Sequence, residues 1–169
     1  DVPTDEVDAY AAVVMTRVAR TFSLAVRLLR EPVRRDVRRL YLVLRTLDDL
    51  VDHADARAAR AVADVEAWAG GGPARGWLAE ILADLAARHP AFPRDAMLDF
   101  VAGMRADLAG PDHRTEADLS RYCYQVAGTV GRMMAAVLGV EPGHEAEADG
   151  AARALGVAMQ RTNILRDLV

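Results

Sequence analysis

Apolar residues recur along the chain at intervals of three and four, and the two-residue alternation of a half-buried strand is almost absent. Ala, Leu, Arg and Glu, all good helix formers, fill most of the intervening positions. The pattern predicts helices over about 5–19, 21–30, 32–53, 57–69, 77–88, 93–109, 116–139 and 145–169. Punctuation falls between these spans. Pro32 suits a first helical turn, Gly70-Gly71-Gly72-Pro73 reads as a linker, and Pro90 and Pro93 bracket a short connection. Gly110-Pro111-Asp112 closes one helix, and Thr115 with Asp118 three residues on forms a variant capping box that opens the next. The last span reaches Leu168-Val169 without a glycine cap or a proline stop, so we expect that helix to continue and the chain to be incomplete at its C-terminal side. With no internal repeat and only a short glycine linker, residues 1–169 read as one all-α helical bundle domain.

Composition narrows the partners. At 169 residues and 52% apolar the chain supplies one sizeable core. Arg carries all 21 positive charges against 25 Asp and Glu, and a net charge of −4 speaks against a nucleic-acid partner. Cys123 stands alone and cannot form an internal disulfide, so a cytoplasmic setting is the expectation. No apolar run reaches the ~20 residues needed to cross a bilayer. Peripheral contact with a membrane is compatible with that, because an apolar substrate can be collected from a bilayer surface.

Three stretches carry candidate chemistry. In Leu40-Tyr41-Leu42-Val43-Leu44-Arg45-Thr46-Leu47-Asp48-Asp49-Leu50-Val51-Asp52, the residues Leu40, Leu44, Leu47 and Val51 form one apolar stripe. Tyr41, Arg45, Asp48 and Asp52 follow the same spacing one residue on, which sets two carboxylates and an Arg along one strip at the edge of the core. Like charges at i, i+4 cost ~0.2–0.5 kcal/mol in a bare helix, and beside a bundle interior such a pair calls for a cation. Mg²⁺ suits carboxylate oxygens and is commonly shared with substrate phosphates. From the residues alone, the strip is either half of such a diphosphate site or a solvated acidic face with Arg45 in an i, i+3 salt bridge.

The second stretch, 151–167, repeats the geometry with Gly156, Gln160, Asn163 and Asp167 on one strip. These amides either line a cavity and hold a metal or its water, or bridge neighbouring helices. The third, Tyr122-Cys123-Tyr124-Gln125-Val126-Ala127-Gly128-Thr129-Val130-Gly131, sets two glycines inside a helical run at ~0.5–1 kcal/mol each, so another helix or an apolar ligand approaches the backbone there. Cys123, Trp68 and Trp77 read as core residues, and Arg34, Arg35, Arg38 and Arg39 as a solvated face.

Taken together these stretches resemble the squalene/phytoene synthase family, the head-to-head prenyl transferases, and are closest to its phytoene synthase branch. Asp48-Asp49-Leu50-Val51-Asp52 resembles its first aspartate-rich motif, 122–131 its tyrosine and glycine signature, and Gln160-Arg161-Thr162-Asn163-Ile164-Leu165-Arg166-Asp167 the opening of its second aspartate-rich motif. Thr21-Phe22-Ser23-Leu24-Ala25 with Leu28-Leu29 matches its first block. Leu44 and Arg161 depart from the pattern, where a small residue and a Leu are expected.

The resemblance implies a class I isoprenoid-synthase bundle whose cavity holds two prenyl diphosphates over Mg²⁺. By motif position Asp48, Asp52, Asn163 and Asp167 bind the metal. Phe22, Tyr41, Val126, Gly128, Gly131, Gln160, Asn163 and Arg166 meet substrate, with Gly128 and Gly131 leaving room for a prenyl tail. Arg45 offsets diphosphate charge, and Tyr122 assists proton removal or cation steering. The implied reaction joins two geranylgeranyl diphosphates through a cyclopropyl diphosphate to phytoene. A squalene-type enzyme using farnesyl diphosphate and a non-catalytic helical interaction module are the alternatives. A homo-oligomer or a complementing C-terminal part would be its protein partner.

Overall fold

A computed structural model of the chain describes residues 4–18, 20–110 and 114–167, with side chains for 6–15, 22–110 and 114–167. The helices are α1 (Thr4–Val18), α2 (Arg20–Arg27), α3 (Val33–Asp52), α4 (Ala58–Ala69), α5 (Gly76–Arg88), α6 (Arg94–Ala109), α7 (Glu116–Cys123), α8 (Thr129–Leu138) and α9 (Glu145–Asp167). The described residues contain no strand. The span expected as one helix over 116–139 is instead α7 and α8 joined by a π turn, Tyr124–Gly128. The capping box is present in full. Thr115 Oγ1 accepts from the Asp118 backbone N–H, and Asp118 accepts from the Thr115 N–H at 3.1 Å.

Helix α3 is the axis of the bundle and packs on α1, α2, α4, α5, α6 and α8. The stripe Leu40, Leu44, Leu47 and Val51 is buried as expected, and Val37, Leu42 and Val43 join it, so more than one face of α3 meets neighbours. Trp68 is buried with its ring centroid 6.3 Å from that of Phe92 and the Arg94 guanidinium 4.5 Å over it. Trp77, read from sequence as a core plug, is 36% exposed.

Of the basic run that opens α3, Arg34, Arg35 and Arg38 are partly exposed, whereas Arg39 is not solvated. Arg39 is buried and donates to Asp8 at 2.5 Å and to Asp84 at 2.9 Å, tying α3 to α1 and α5. Asp36, only 1% exposed, accepts from Arg88 at 2.9 Å and lies 2.9 Å from the His89 ring Nε2. Burial alone would raise the Asp36 carboxyl; hydrogen bonds and charge from Arg88 and His89 outweigh it and hold the group below its ordinary value. A depressed value means stability that is present above the ordinary carboxylate range and lost as pH falls through it. Asp36→Asn is therefore expected to destabilise the protein at neutral pH. The loss should fall below the roughly 3–5 kcal/mol of a fully buried broken pair, because Arg88 keeps Asp84 at 2.5 Å. Urea titrations of parent and variant should converge as the pH is lowered.

Candidate functional site

Three carboxylates, Asp48, Asp49 and Asp52, crowd the last turns of α3, where no basic residue offsets the negative end of the helix. Asp107, near the end of α6, adds a fourth charge to the same field. Among the described residues Arg45 answers two of them, donating to Asp48 at 2.9 Å and to Asp49 at 2.5 Å. Its Nε is buried with no hydrogen-bond partner, a donor that an anionic oxygen would satisfy. Burial and the charge of Asp52 push the Asp48 carboxyl up to about 6, against the pull of Arg45 and with help from Asp49 and Asp107. A helix end so overloaded with negative charge is suited to a divalent cation bound through carboxylate oxygens.

Tyr122 faces this strip from α7. Half-buried, its phenol is pushed up to about 12 by burial and by the charges of Asp107, Asp48 and Asp52. Tyr41 lies on the same side of α3: burial raises its phenol, Arg45 opposes, and Asp49 and Asp48 add to the rise. Phe22 packs on Tyr41 with ring centroids 5.9 Å apart and planes tilted by 41°. Phe22, Tyr41, Arg45, Asp48, Asp52 and Tyr122 are thus one neighbourhood drawn from α2, α3 and α7. Asp107 belongs to it too, and sequence reasoning missed it. Its one sequence-level signal was a carboxylate at a helix C-terminus, where the dipole disfavours it.

The α9 strip is open to solvent over most of its length. Gln160 is half-buried, but Asn163 is exposed, and Arg166 and Asp167 are 70% and 68% exposed and paired with each other at 3.1 Å. No residue of α9 is buried, because the helix packs on the π turn, α7 and α8 and nothing described lies over its outer face. Among the described residues no three His, Cys, Asp or Glu side chains are grouped to hold a metal. Asn163 and Asp167 thus lie on an exposed strip of α9, as Asp48, Asp49 and Asp52 lie on a partly exposed strip of α3.

The glycines also meet protein. A Cβ on Gly131 would lie 2.2 Å from the Ala152 carbonyl oxygen of α9. One on Gly128 would lie 2.8 Å from the Tyr124 ring and 3.2 Å from Val157. The space expected to admit a prenyl tail there is filled by helix α9, the tight-packing alternative. Val126 lies against Gly103 of α6, whose Cβ would fall 3.2 Å from it. Two surface hollows of about 250 and 260 Å³ lie elsewhere, the first lined by Asp8, Glu31, Pro32, Arg35 and Arg38, the second by Glu6, Val7, Tyr10, Leu42 and Trp77.

The sequence profile of squalene/phytoene synthase matches residues 15–169. The chain belongs to the squalene/phytoene synthase family. It is similar to phytoene synthase 1, chloroplastic, of Arabidopsis thaliana, 36% identical over 164 residues that cover 92% of this chain and 38% of that protein. It is also similar to 15-cis-phytoene synthase of Synechococcus elongatus, 35% identical over 170 residues, 92% of this chain and 54% of that one. A crystal structure of a dehydrosqualene synthase in complex with ligand superposes with a TM-score of 0.81 at 28% identity, covering 96% of this chain and 57% of its own. This squalene/phytoene synthase chain thus has the all-α fold of that structure and spans about half the length, or less, of the curated relatives it matches.

In this squalene/phytoene synthase chain the raised Asp48 value has a sign that can be tested. Asp48 binds its proton more tightly folded than unfolded, so without metal its ionisation destabilises the fold above about 6, and that penalty fades as pH falls toward the ordinary 3.8. Asp48→Asn should melt above the parent at pH 7.5 and lose that advantage near pH 4, as followed by circular dichroism without divalent ions.

Proposed function

We propose that this chain carries the α3 half of a Mg²⁺-dependent head-to-head prenyl transferase site that condenses two geranylgeranyl diphosphates to phytoene through a cyclopropyl diphosphate intermediate. The observation that carries the reading is the overloaded acidic end of α3, with Asp48 raised to about 6, one partly unsatisfied Arg and a tyrosine facing it. The names of the phytoene synthase relatives favour geranylgeranyl diphosphate as substrate.

The residues fit Mg²⁺ by their chemistry: hard oxygen donors on Asp48 and Asp52, with more negative charge around them than Arg45 neutralises. Bound there, the ion would screen the diphosphate and favour its departure. Arg45 would give its free Nε–H to a diphosphate oxygen. Gln160 offers an amide from α9. Tyr122, titrating near 12, keeps its proton at neutral pH, so it steers positive charge by its oxygen dipole and ring face and does not act as a phenolate base. The tilted Phe22 and Tyr41 rings present further π faces to a carbocation. Asn163, Arg166 and Asp167 would join the site where a complementing C-terminal part packs on the exposed Leu155, Met159 and Leu165 of α9. No helix among the described residues is long and apolar enough to cross a membrane, so we assign contact with a substrate-bearing bilayer to its surface.

The likeness to a dehydrosqualene synthase structure favours farnesyl diphosphate as the second reading. Incubation with Mg²⁺ and each diphosphate, followed by identification of the hydrocarbon, separates the two: phytoene from geranylgeranyl diphosphate is expected. No diphosphate-dependent product from either, alone or with a complementing C-terminal part, rejects the transferase reading and leaves a helical interaction module.

A further inference from the structure

Tyr122 and Tyr124 lie two residues apart on a helical rod and so face nearly opposite ways. Tyr122 meets the acidic strip, whereas Tyr124, which the proposed chemistry does not use, is tied into the opposite side. Its hydroxyl donates to Asp99 of α6 at 2.7 Å and accepts from Arg132 of α8 at 3.1 Å. Arg132, 15% exposed, also binds Asp95 of α6 at 3.0 Å and Asp149 of α9 at 2.7 Å. The Arg153 guanidinium of α9 sits 4.5 Å over the Tyr124 ring. Three helices, α6, α8 and α9, therefore meet on this one side chain of the π turn.

Tyr124 is also the first residue of the π turn. Such π turns are rare and occur mostly as single-turn bulges within α-helices, frequently at functional sites. Here the surroundings are specific: Gln125 and Val126 rest against Gly103, and Ala127 against Gly156. The extra residue sets the rotation of everything before it relative to everything after it, Tyr122 included.

We propose that Tyr124 is a positioning residue: its hydrogen bonds to Asp99 and Arg132 hold the π turn and thereby aim Tyr122 at Asp48 and Asp52. This rests on the assignment of Tyr122 to the proposed site, and the decisive readout is made without substrate, so the two can fail separately. The probe is the phenolic ¹³Cζ resonance of Tyr122 in protein labelled at its four tyrosines, assigned through Tyr122→Phe. In the parent, Asp48→Asn moves that resonance. In Tyr124→Phe, which keeps the ring and loses only the hydroxyl, the helical content is retained and the response to Asp48→Asn falls by half or more. If Tyr124→Phe does not fold, Arg132→Lys, which still donates to the phenol oxygen, should preserve the response that Arg132→Met loses. In a preparation active on prenyl diphosphate, Tyr124→Phe lowers kcat by about tenfold and changes KM less than about twofold, as misplacement of a reacting group does. An undiminished Tyr122 response in Tyr124→Phe, or equal responses in Arg132→Lys and Arg132→Met, overturns the proposal, whatever the melting temperatures, and leaves Tyr124 a brace between helices.

Discussion

Asp48→Ala combined with Asp52→Ala is expected to raise the melting temperature of the unliganded protein and to abolish its stabilisation by Mg²⁺ with a non-hydrolysable prenyl diphosphate. The two signs come from one cause. Without an ion, Asp48 sits partly buried beside Asp52, Asp49 and Asp107, and removing two of the four charges relieves the repulsion that pushes it to about 6. With the ion and analogue at one hundred times their dissociation constant, the parent gains about 2.7 kcal/mol, or about 5–10 °C for a domain of this size. The variant lacks both carboxylates assigned to the ion and gains nothing. A ligand shift of equal size in parent and variant would remove Asp48 and Asp52 from the site, and a lower melting temperature in the unliganded variant would show that the acids brace the fold.

Gly156→Ala is expected to destabilise the protein by about 1–3 kcal/mol, the range for overpacking, although alanine is the better helix former by about 1 kcal/mol. The added Cβ would lie 2.2 Å from the Ala127 carbonyl oxygen and 3.0 Å from the Gly128 Cα. Both are backbone atoms of the π turn, so α9 must move off. Gly150, on the same helix, has nothing within 4 Å of the place a Cβ would take and no positive φ. Gly150→Ala should accordingly stabilise by about 0.5–1 kcal/mol. Thermal unfolding of the pair separates close approach from helix propensity. If both variants gained stability, α9 would not be seated on the π turn as described.

How much of this was legible in the sequence varied with the range of the interaction involved. Helix limits came within about three residues because proline, glycine and the Thr115–Asp118 box act locally. The strip Tyr41, Arg45, Asp48 and Asp52 was readable because one helix sets its spacing, and its partner Tyr122 because the family motif includes it. The π turn left no trace, since one residue added to a turn leaves the apolar pattern of 116–139 intact. Asp107 and the burial of Arg39 depend on contacts between distant helices, α6 with α3 and α3 with α1 and α5, which no local pattern encodes. Asn163 and Asp167 share a strip because one helix sets their spacing, but the seating of α9 depends on Gly131, Gly156 and Arg132, outside the acidic motif itself.

The most direct measurement is a crystal structure grown with Mn²⁺ and a non-hydrolysable geranylgeranyl diphosphate analogue, with the metal located by its anomalous signal. The account predicts Mn²⁺ against the carboxylates of Asp48 and Asp52, with a diphosphate oxygen within reach of the Arg45 Nε. Manganese bound elsewhere, with Asp48 still paired only to Arg45, would contradict it.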